Sequence, residues 1–394
     1  MQLINPENAA PHFARNDSGQ DDFGLPGWAY HDQDALEAER RRIFLKSWQL
    51  VCHVSDIPES GDWQSLLVMG ESIVAIRGDD GRVRAFANVC RHRGARIVDG
   101  HSGCARKLVC PYHAWVYELD GRLSGLPMRG DYPALAPQEH SLVEYTVEIW
   151  RGFVFAAVER PPVSVAEMMA PHEEEIAPYR LEDMRAIGRV TTRPRPANWK
   201  NISDNYSDGL HIPVAHPGLK RLFGAKNYGV QAGEWVDRLG GPLVEAPDES
   251  PSERTYRQLL PHVDHLPADR QRVWFYYKLW PNTAFDIYPD QMDFMQLLPV
   301  GPNETMIREI AYAIPDSRRE MRAARYLNWR INRQVSFEDS NLVERVQAGM
   351  ASASFGQGPL GKSEVCLRRF AKRMRSIVPE MLEAQPPAPG WGRL

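Results

Sequence analysis

Between Cys90 and His113 the chain reads CRHRGARIVDGHSGCARKLVCPYH, three cysteines and three histidines in 24 residues. Two half-motifs stand out, Cys90-x-His92 and Cys110-x2-His113, with seventeen residues between His92 and Cys110. Each places one thiolate and one imidazole on a tight loop. Cys104 and His101 have no such partner and fall in a Gly- and Ser-bearing spacer, so they read as loop residues. A disulfide would leave the paired histidines unexplained. Two metal chemistries fit the donors: a Cys2His2 zinc site, or a [2Fe–2S] centre with two cysteines on one iron and two histidines on the other.

A second cluster lies about a hundred residues on, in NWKNISDNYSDGLHIPVAHPGL (Asn198–Leu219). Asp208, His211 and His216 form D-x2-H-x4-H. Positions i and i+3 share a helical face, which would make Asp208 and His211 neighbours, and Pro213 would break the helix and let His216 fold back. Further along, Leu327, Ile331, Val335, Leu342 and Val346 form an apolar stripe at helical spacing, and Asp339 lies on it. Glu338 is turned about 100° away at ~3.6 residues per turn. A carboxylate facing the core needs a partner; a metal ion would supply one, as would a buried arginine.

CRHRGARI with CPYHAWVYELDGRL resembles the Rieske iron–sulfur signature, C-x-H-R-G followed by C-P-x-H-x-W, with Ala114 standing where the family usually has glycine. With NWK (Asn198–Lys200), FED (Phe337–Asp339) and GPLGKSE (Gly358–Glu364), nearly the whole chain is similar to the large (alpha) subunit of a Rieske non-haem iron oxygenase of the ring-hydroxylating family. The resemblance implies one [2Fe–2S] cluster on Cys90, His92, Cys110 and His113, and one mononuclear Fe(II) on His211, His216 and Asp339. It also implies O2 as co-substrate and electrons from NAD(P)H through a ferredoxin or reductase. Asp208 would then bridge His113 of one subunit and His211 of the next, since a ligand histidine usually gives its second N–H to a carboxylate. Such head-to-tail contacts close into a ring, here a homotrimer. Asp204 and Asn205, one turn earlier, would support it.

These residues need elements to hold them. Gln33–Trp48 reads as a helix behind an Asp32 cap, with Leu36, Ile43, Phe44 and Trp48 on one face. Short alternating runs between Gly, Asp and Pro turns follow, the pattern of a small antiparallel β domain. A Pro-rich passage, PPVSVAEMMAPHEEEIAPYR, marks the boundary. Strands such as VWFYYKLW, TAFDIY, DFMQLLPV and MIREIAYAI then precede helices over about 317–349 and 364–383. Strands followed by helices give an α+β fold. The expected division is 1–48, an N-terminal segment packing on the catalytic domain; 49–156, the all-β Rieske domain; and 157–394, the catalytic domain. The resemblance implies a helix-grip (START-like) form for the last, an antiparallel sheet around a long C-terminal helix.

Composition narrows the partners. Of 394 residues 43% are apolar and 25% charged, and the net charge of −4 gives no reason to expect nucleic acid or an anionic membrane. No run approaches the ~20 apolar residues of a bilayer span, the first thirty residues lack a secretory pattern, and five cysteines, an odd and small number of which Cys52 and Cys366 stand alone, suit a reducing cytoplasm. Arg91, Arg93, Arg96, Arg106 and Lys107 against Asp99 make the first motif basic: a solvated rim, or a dock for an acidic electron donor. Substrate is the least specified. The aromatic strands suggest an apolar pocket with Asn205, Tyr277, Phe285 and Phe294 as lining candidates, and a hydrophobic or aromatic ring compound as substrate. The alternative is a mono-oxygenase demethylating a quaternary ammonium, which aromatic faces also bind, or a methoxy compound. A different class altogether would be a zinc-bearing, non-redox binding protein.

Overall fold

Period-2 alternation dominates the chain from residue 49 to 157, and there it forms sheet. The computed structural model describes residues 22–224, 227–246 and 250–393. Residues 1–21 of the expected N-terminal segment therefore lie outside the described residues. Seven antiparallel strands run in the order Gln49–His53, Phe153–Ala157, Glu144–Trp150, Val83–Ala87, Glu71–Arg77, Asp62–Val68, Ser102–Cys104. A three-stranded sheet, Leu108–Val109, Val116–Tyr117 and Leu123–Gly125, carries the second cysteine–histidine loop. Trp63, Phe86, Trp115 and Tyr117 pack beneath both loops. Cys104 sits exposed on an edge strand, paired with Asp62.

The second sheet is also antiparallel. Its order is Arg185–Ala186, Glu304–Ala313, Met292–Gly301, Thr283–Ile287, Val273–Leu279, Val236–Pro242, Gly229–Gln231, with Thr191–Arg195 also pairing onto Glu304–Ala313. Both faces are covered, for different reasons. One face (Phe275, Tyr277, Phe285, Phe294, Tyr312) packs on Trp48, Leu50, Trp150, Phe153 and Phe155 of the first domain. The other (Trp274, Tyr276, Tyr288) packs on Ile331 and Ala324 of a 32-residue helix, Arg319–Met350, and on Ile212, Leu219 and Leu222. Burying a large apolar side chain is worth roughly 1.5–3 kcal/mol, so each face is a substantial interface. An antiparallel sheet gripping a long helix is the helix-grip arrangement.

The N-terminal helix is shorter than its apolar pattern suggested. It runs Gln33–Arg42, with Asp32 Oδ1 accepting from Ala35 N at 2.7 Å, and Phe44–Lys46 continues as a single tight turn. Ile43, Phe44 and Trp48 are still buried, because the turn keeps them on the same side. Inside, Glu39 meets Lys200 at 2.6 Å, both fully buried, and accepts from Trp199 Nε1 at 2.7 Å. That anchors the first helix to the helix that leads into the second histidine cluster. Among the described residues, no helix is long and apolar enough to cross a membrane.

Candidate metal centres and substrate cavity

The two cysteine–histidine loops are built alike. Cys90 N donates to Ala95 O (2.8 Å) while Gly94 N donates to Cys90 O (3.0 Å); Cys110 N donates to Trp115 O (2.8 Å) while Ala114 N donates to Cys110 O (3.0 Å). Four residues after each cysteine the chain takes a left-handed turn, Gly94 at φ 75° and Ala114 at φ 53°. Only glycine enters that region without strain, so Ala114 keeps the geometry at a conformational cost. Cys90 and Cys110 are buried, and the rings of His92 and His113 lie 4.6 Å apart. Trp115 stacks flat on His92 at 4.9 Å.

These residues fit the two-iron group. Nδ1 of His92 and Nδ1 of His113 are buried with no hydrogen-bond partner, the state of donor atoms turned toward a ligand. A single zinc fits poorly. Tetrahedral donors ~2.0–2.3 Å from one ion sit roughly 3.3–3.8 Å from each other. Yet the one group of three or more such donors lying mutually within 4.8 Å, among the described residues, is a different one. The four donors here are spread wider, as two bridged irons require. Tyr117 adds a hydroxyl 3.3 Å from Cys90 Sγ.

The compact group is His211, His216 and Asp339. His211 Nε2 and His216 Nε2 are 3.0 Å apart, His216 Nε2 and Asp339 Oδ1 2.9 Å, His211 Nε2 and Asp339 Oδ1 3.6 Å. Three donors ~2.1 Å from one ion, at right angles, are separated by about 3 Å, the shape of the two-histidine, one-carboxylate face. Electrostatics agree. Burial works against charge on His211, but hydrogen bonds with Asp208 and Asp339 outweigh it and push the imidazole up to about 9. Burial alone would raise the Asp339 carboxyl, and the two imidazoles hold it below its usual range. The pocket favours a positive charge, which a divalent ion supplies.

The local chain path differs from the sequence expectation. The helix Trp199–Ser207 ends before Asp208, which has extended backbone (φ −85°, ψ 122°). Its Oδ1 accepts from Leu210 N at 2.7 Å and its Oδ2 lies 3.1 Å from His211 Nδ1. The pair therefore meets through a turn made by the aspartate side chain, not through a shared helical face. Pro213 does not break a helix either: it sits in the first turn of a new one, Ile212–Ala215, where its missing N–H costs nothing. His216 closes that turn.

Two supporting residues complete the centre. Asn205 Nδ2 donates to Asp339 Oδ1 at 2.8 Å, whereas Asp204 turns away to accept from Tyr30 OH at 2.9 Å. Glu338, set aside by its helical phase, has Oε2 2.8 Å from His216 Nδ1, and Gln334 Nε2 donates to its other oxygen at 2.9 Å. A ligand histidine normally has such an outer carboxylate, which was the available signal. His113 and Asp208 share no hydrogen bond within the chain among the described residues.

The pocket expectation needs correction at three positions. Tyr277, Phe285 and Phe294 point to the sheet face packed on the first domain, with Phe285 5.0 Å from Phe153 and Tyr277 OH on Glu175. Successive strand residues face opposite sides, and the parity was off by one. Facing the long helix instead are Tyr276, Asp286 and Asp293, neighbours across three strands. Tyr206 OH donates to Asp286 Oδ1, and Asn332 Nδ2 to Tyr288 OH at 2.9 Å. Ring centroids of Tyr206, Tyr228 and Tyr288 lie 6.2–6.3 Å from that of Tyr276. Burial, then the nearby acidic groups with Asp286 first, push the Tyr228 hydroxyl well up. The acidic residues inside TAFDIYPDQMDF were the missed signal.

Comparisons with known proteins agree with both centres. Residues 47–140 match the model of the Rieske [2Fe-2S] domain, and residues 181–380 that of the ring hydroxylating alpha subunit (catalytic domain). The carnitine monooxygenase oxygenase subunit of Escherichia coli (strain K12) is 31% identical over 365 residues, covering 91% of this chain and 92% of that protein. The glycine betaine monooxygenase oxygenase subunit of Pseudomonas aeruginosa (strain UCBPP-PA14) is 36% identical over 199 residues, 50% of this chain and 46% of that protein. Among solved structures, a quaternary ammonium Rieske monooxygenase in complex with L-carnitine superposes with a TM-score of 0.75 at 27% identity, covering 91% of this chain and 97% of that one.

Proposed function

Because this chain belongs to the Rieske non-haem iron oxygenases, as an alpha subunit with a Rieske domain and a mononuclear-iron catalytic domain, we propose that it is the oxygenase component of a quaternary ammonium monooxygenase. The observation that carries this reading is the set of Tyr206, Tyr228, Tyr276 and Tyr288 gathered near Asp286, on the sheet face that packs against the long helix bearing Asp339. A tetraalkylammonium has no N–H to donate, so it is held by aromatic faces and by nearby negative charge. A neutral ring compound gains nothing from a carboxylate at that place. The aromatic strands had pointed toward a ring substrate; the relatives' substrates and this lining both favour the ammonium.

When bound, the two metal groups would supply single-electron relay and O2 activation, the chemistry by which one oxygen atom would enter a C–H bond next to nitrogen and the other would leave as water, for two electrons and two protons. The chain's own residues set this up. Cys90, His92, Cys110 and His113 would hold the cluster, and His211, His216 and Asp339 would hold the iron. Asn205 fixes Asp339 by its 2.8 Å bond, and Glu338 fixes His216. Asp208 holds the outer nitrogen of His211, and its partner from the cluster side is His113 of a neighbouring subunit in a head-to-tail homotrimer. The tyrosines would hold the ammonium group against their ring faces and exclude water from it. Exposed Arg91, Arg93, Arg96 and Arg106 give an acidic ferredoxin or reductase its docking face. Once hydroxylated, the carbon–nitrogen bond breaks spontaneously, releasing an aldehyde and an amine.

The test is turnover with a surrogate reductase, NADH and O2. The expected result is aldehyde and amine, in step with NADH use, from one or more quaternary ammonium compounds. Hydroxylation of aromatic acids or polycyclic rings, with none from ammonium compounds, overturns the reading.

A further inference from the structure

Asp286 and Asp293 face each other directly across paired strands, on the sheet face turned toward the long helix. Like charges directly opposite one another in a sheet destabilise it. Their protein contacts are neutral: Asp286 accepts from Tyr206 OH and, at 3.4 Å, from Tyr288 OH, and Asp293 Oδ1 accepts from Gln291 Nε2 at 2.9 Å. Gln291 is itself only 3% exposed, and its Oε1 has no partner among the described residues, a further acceptor left over at this spot. Basic side chains on the same sheet face are engaged elsewhere. Arg193 pairs with Glu309, Arg195 donates to Ser340 Oγ, and Lys278 Nζ donates to Ser203 O and Ser207 Oγ, each at 3.0 Å. The charged groups acting most strongly on the two aspartates are other carboxylates.

We infer that this chain takes a quaternary ammonium whose tail carries no carboxylate, with Asp286 and Asp293 as the residues that select it. This rests on the ammonium reading above and narrows it. A betaine or a carnitine brings its own carboxylate to this face, where it would meet two aspartates and, among the described residues of the same sheet face, only cations already engaged elsewhere. A substrate that is a cation only, with a neutral or hydroxyl-bearing tail, supplies the positive charge that the pair lacks and adds no negative one. Specificity here comes from repulsion of the wrong ligand as much as attraction of the right one. Burial, moderated by the Tyr206 hydrogen bond and reinforced by Glu309, raises the Asp286 carboxyl to about 7, as befits an acid kept without a counter-charge.

Isothermal titration of the anaerobic holoenzyme with choline, tetramethylammonium, glycine betaine and L-carnitine tests this. The expected result is that choline or tetramethylammonium binds at least tenfold more tightly than either zwitterion. Asp286→Asn and Asp293→Asn, with cluster and iron contents checked, are each expected to bring the ratio toward one. Equal or tighter binding of glycine betaine or L-carnitine overturns the inference and leaves the ammonium reading intact, as does an unchanged ratio in both variants. Binding of none of the four overturns both.

Discussion

Glu338 offers the sharpest test of how this centre is held. His216 is buried, only 1% exposed, and its Nδ1 lies 2.8 Å from Glu338 Oε2. Glu338 is the outer hydrogen-bond partner that the chain gives this nitrogen. Losing the outer partner of a ligand histidine typically weakens metal binding 10- to 100-fold, which is about 1.4–2.7 kcal/mol. Glu338→Ala leaves Nδ1–H unsatisfied and should reach the upper end, about 100-fold. Glu338→Gln keeps an oxygen in place but removes its charge, so about tenfold is expected. Gln334→Ala, which only frees the other oxygen of Glu338, should do less than either. The assay strips the mononuclear iron, titrates Fe(II) back anaerobically, and follows the nitrosyl adduct by EPR, with the visible spectrum of the iron–sulfur cluster as internal control. Wild-type Fe(II) affinity in both Glu338 variants would refute the reasoning. So would loss of cluster and iron together, since that reports general unfolding rather than a loosened histidine.

Asp208→Asn should retain both metal groups yet lose turnover by at least about tenfold, read by single-turnover oxidation of the reduced cluster; normal oxidation kinetics would remove Asp208 as the bridge. Glu39→Met strands the Lys200 ammonium and should cost about 3–5 kcal/mol in urea unfolding, whereas Glu39→Met with Lys200→Met should recover much of that loss, short of the about 1–3 kcal/mol for the Trp199 Nε1–H left without its acceptor; equal losses in single and double variants would contradict this. Asp286 is held in the folded protein to about 7, well above its unfolded value near 3.9. The folded state therefore keeps a proton that the unfolded state releases, and this stability is present below about pH 4 and lost as pH rises through about 7. Asp286→Asn should gain on wild type in Tm between pH 5 and 8 without ligand; parallel profiles would contradict it.

Much of the chemistry was legible because ligand chemistry leaves close-spaced residue types. Cys90-x-His92 and Cys110-x2-His113 identify themselves within one loop each, and Asp339 shows itself as a carboxylate on an otherwise apolar helical stripe. The element types were legible too, since period-2 and period-3.6 patterns follow from backbone geometry. Less visible were contacts made between segments. Glu338 reaches His216 although its helical phase turns it from the stripe, because His216 comes from another segment 122 residues away and lies beside that phase.

The sequence by itself determined the donor atoms, their order along the chain, and the α+β succession of strands and helices. The two-iron reading of the first motif also came from the sequence, through its resemblance to the Rieske signature; tertiary structure added the unpartnered Nδ1 atoms of His92 and His113. It also decided which side of each strand meets the iron. A one-residue difference in strand parity exchanges Phe285 for Asp286 and Phe294 for Asp293. With both sheet faces buried, apolar residues occupy each, so hydrophobicity cannot tell the packed face from the catalytic one. Only the partner lying on each face can: the first domain on one side, the long helix with Asp339 on the other.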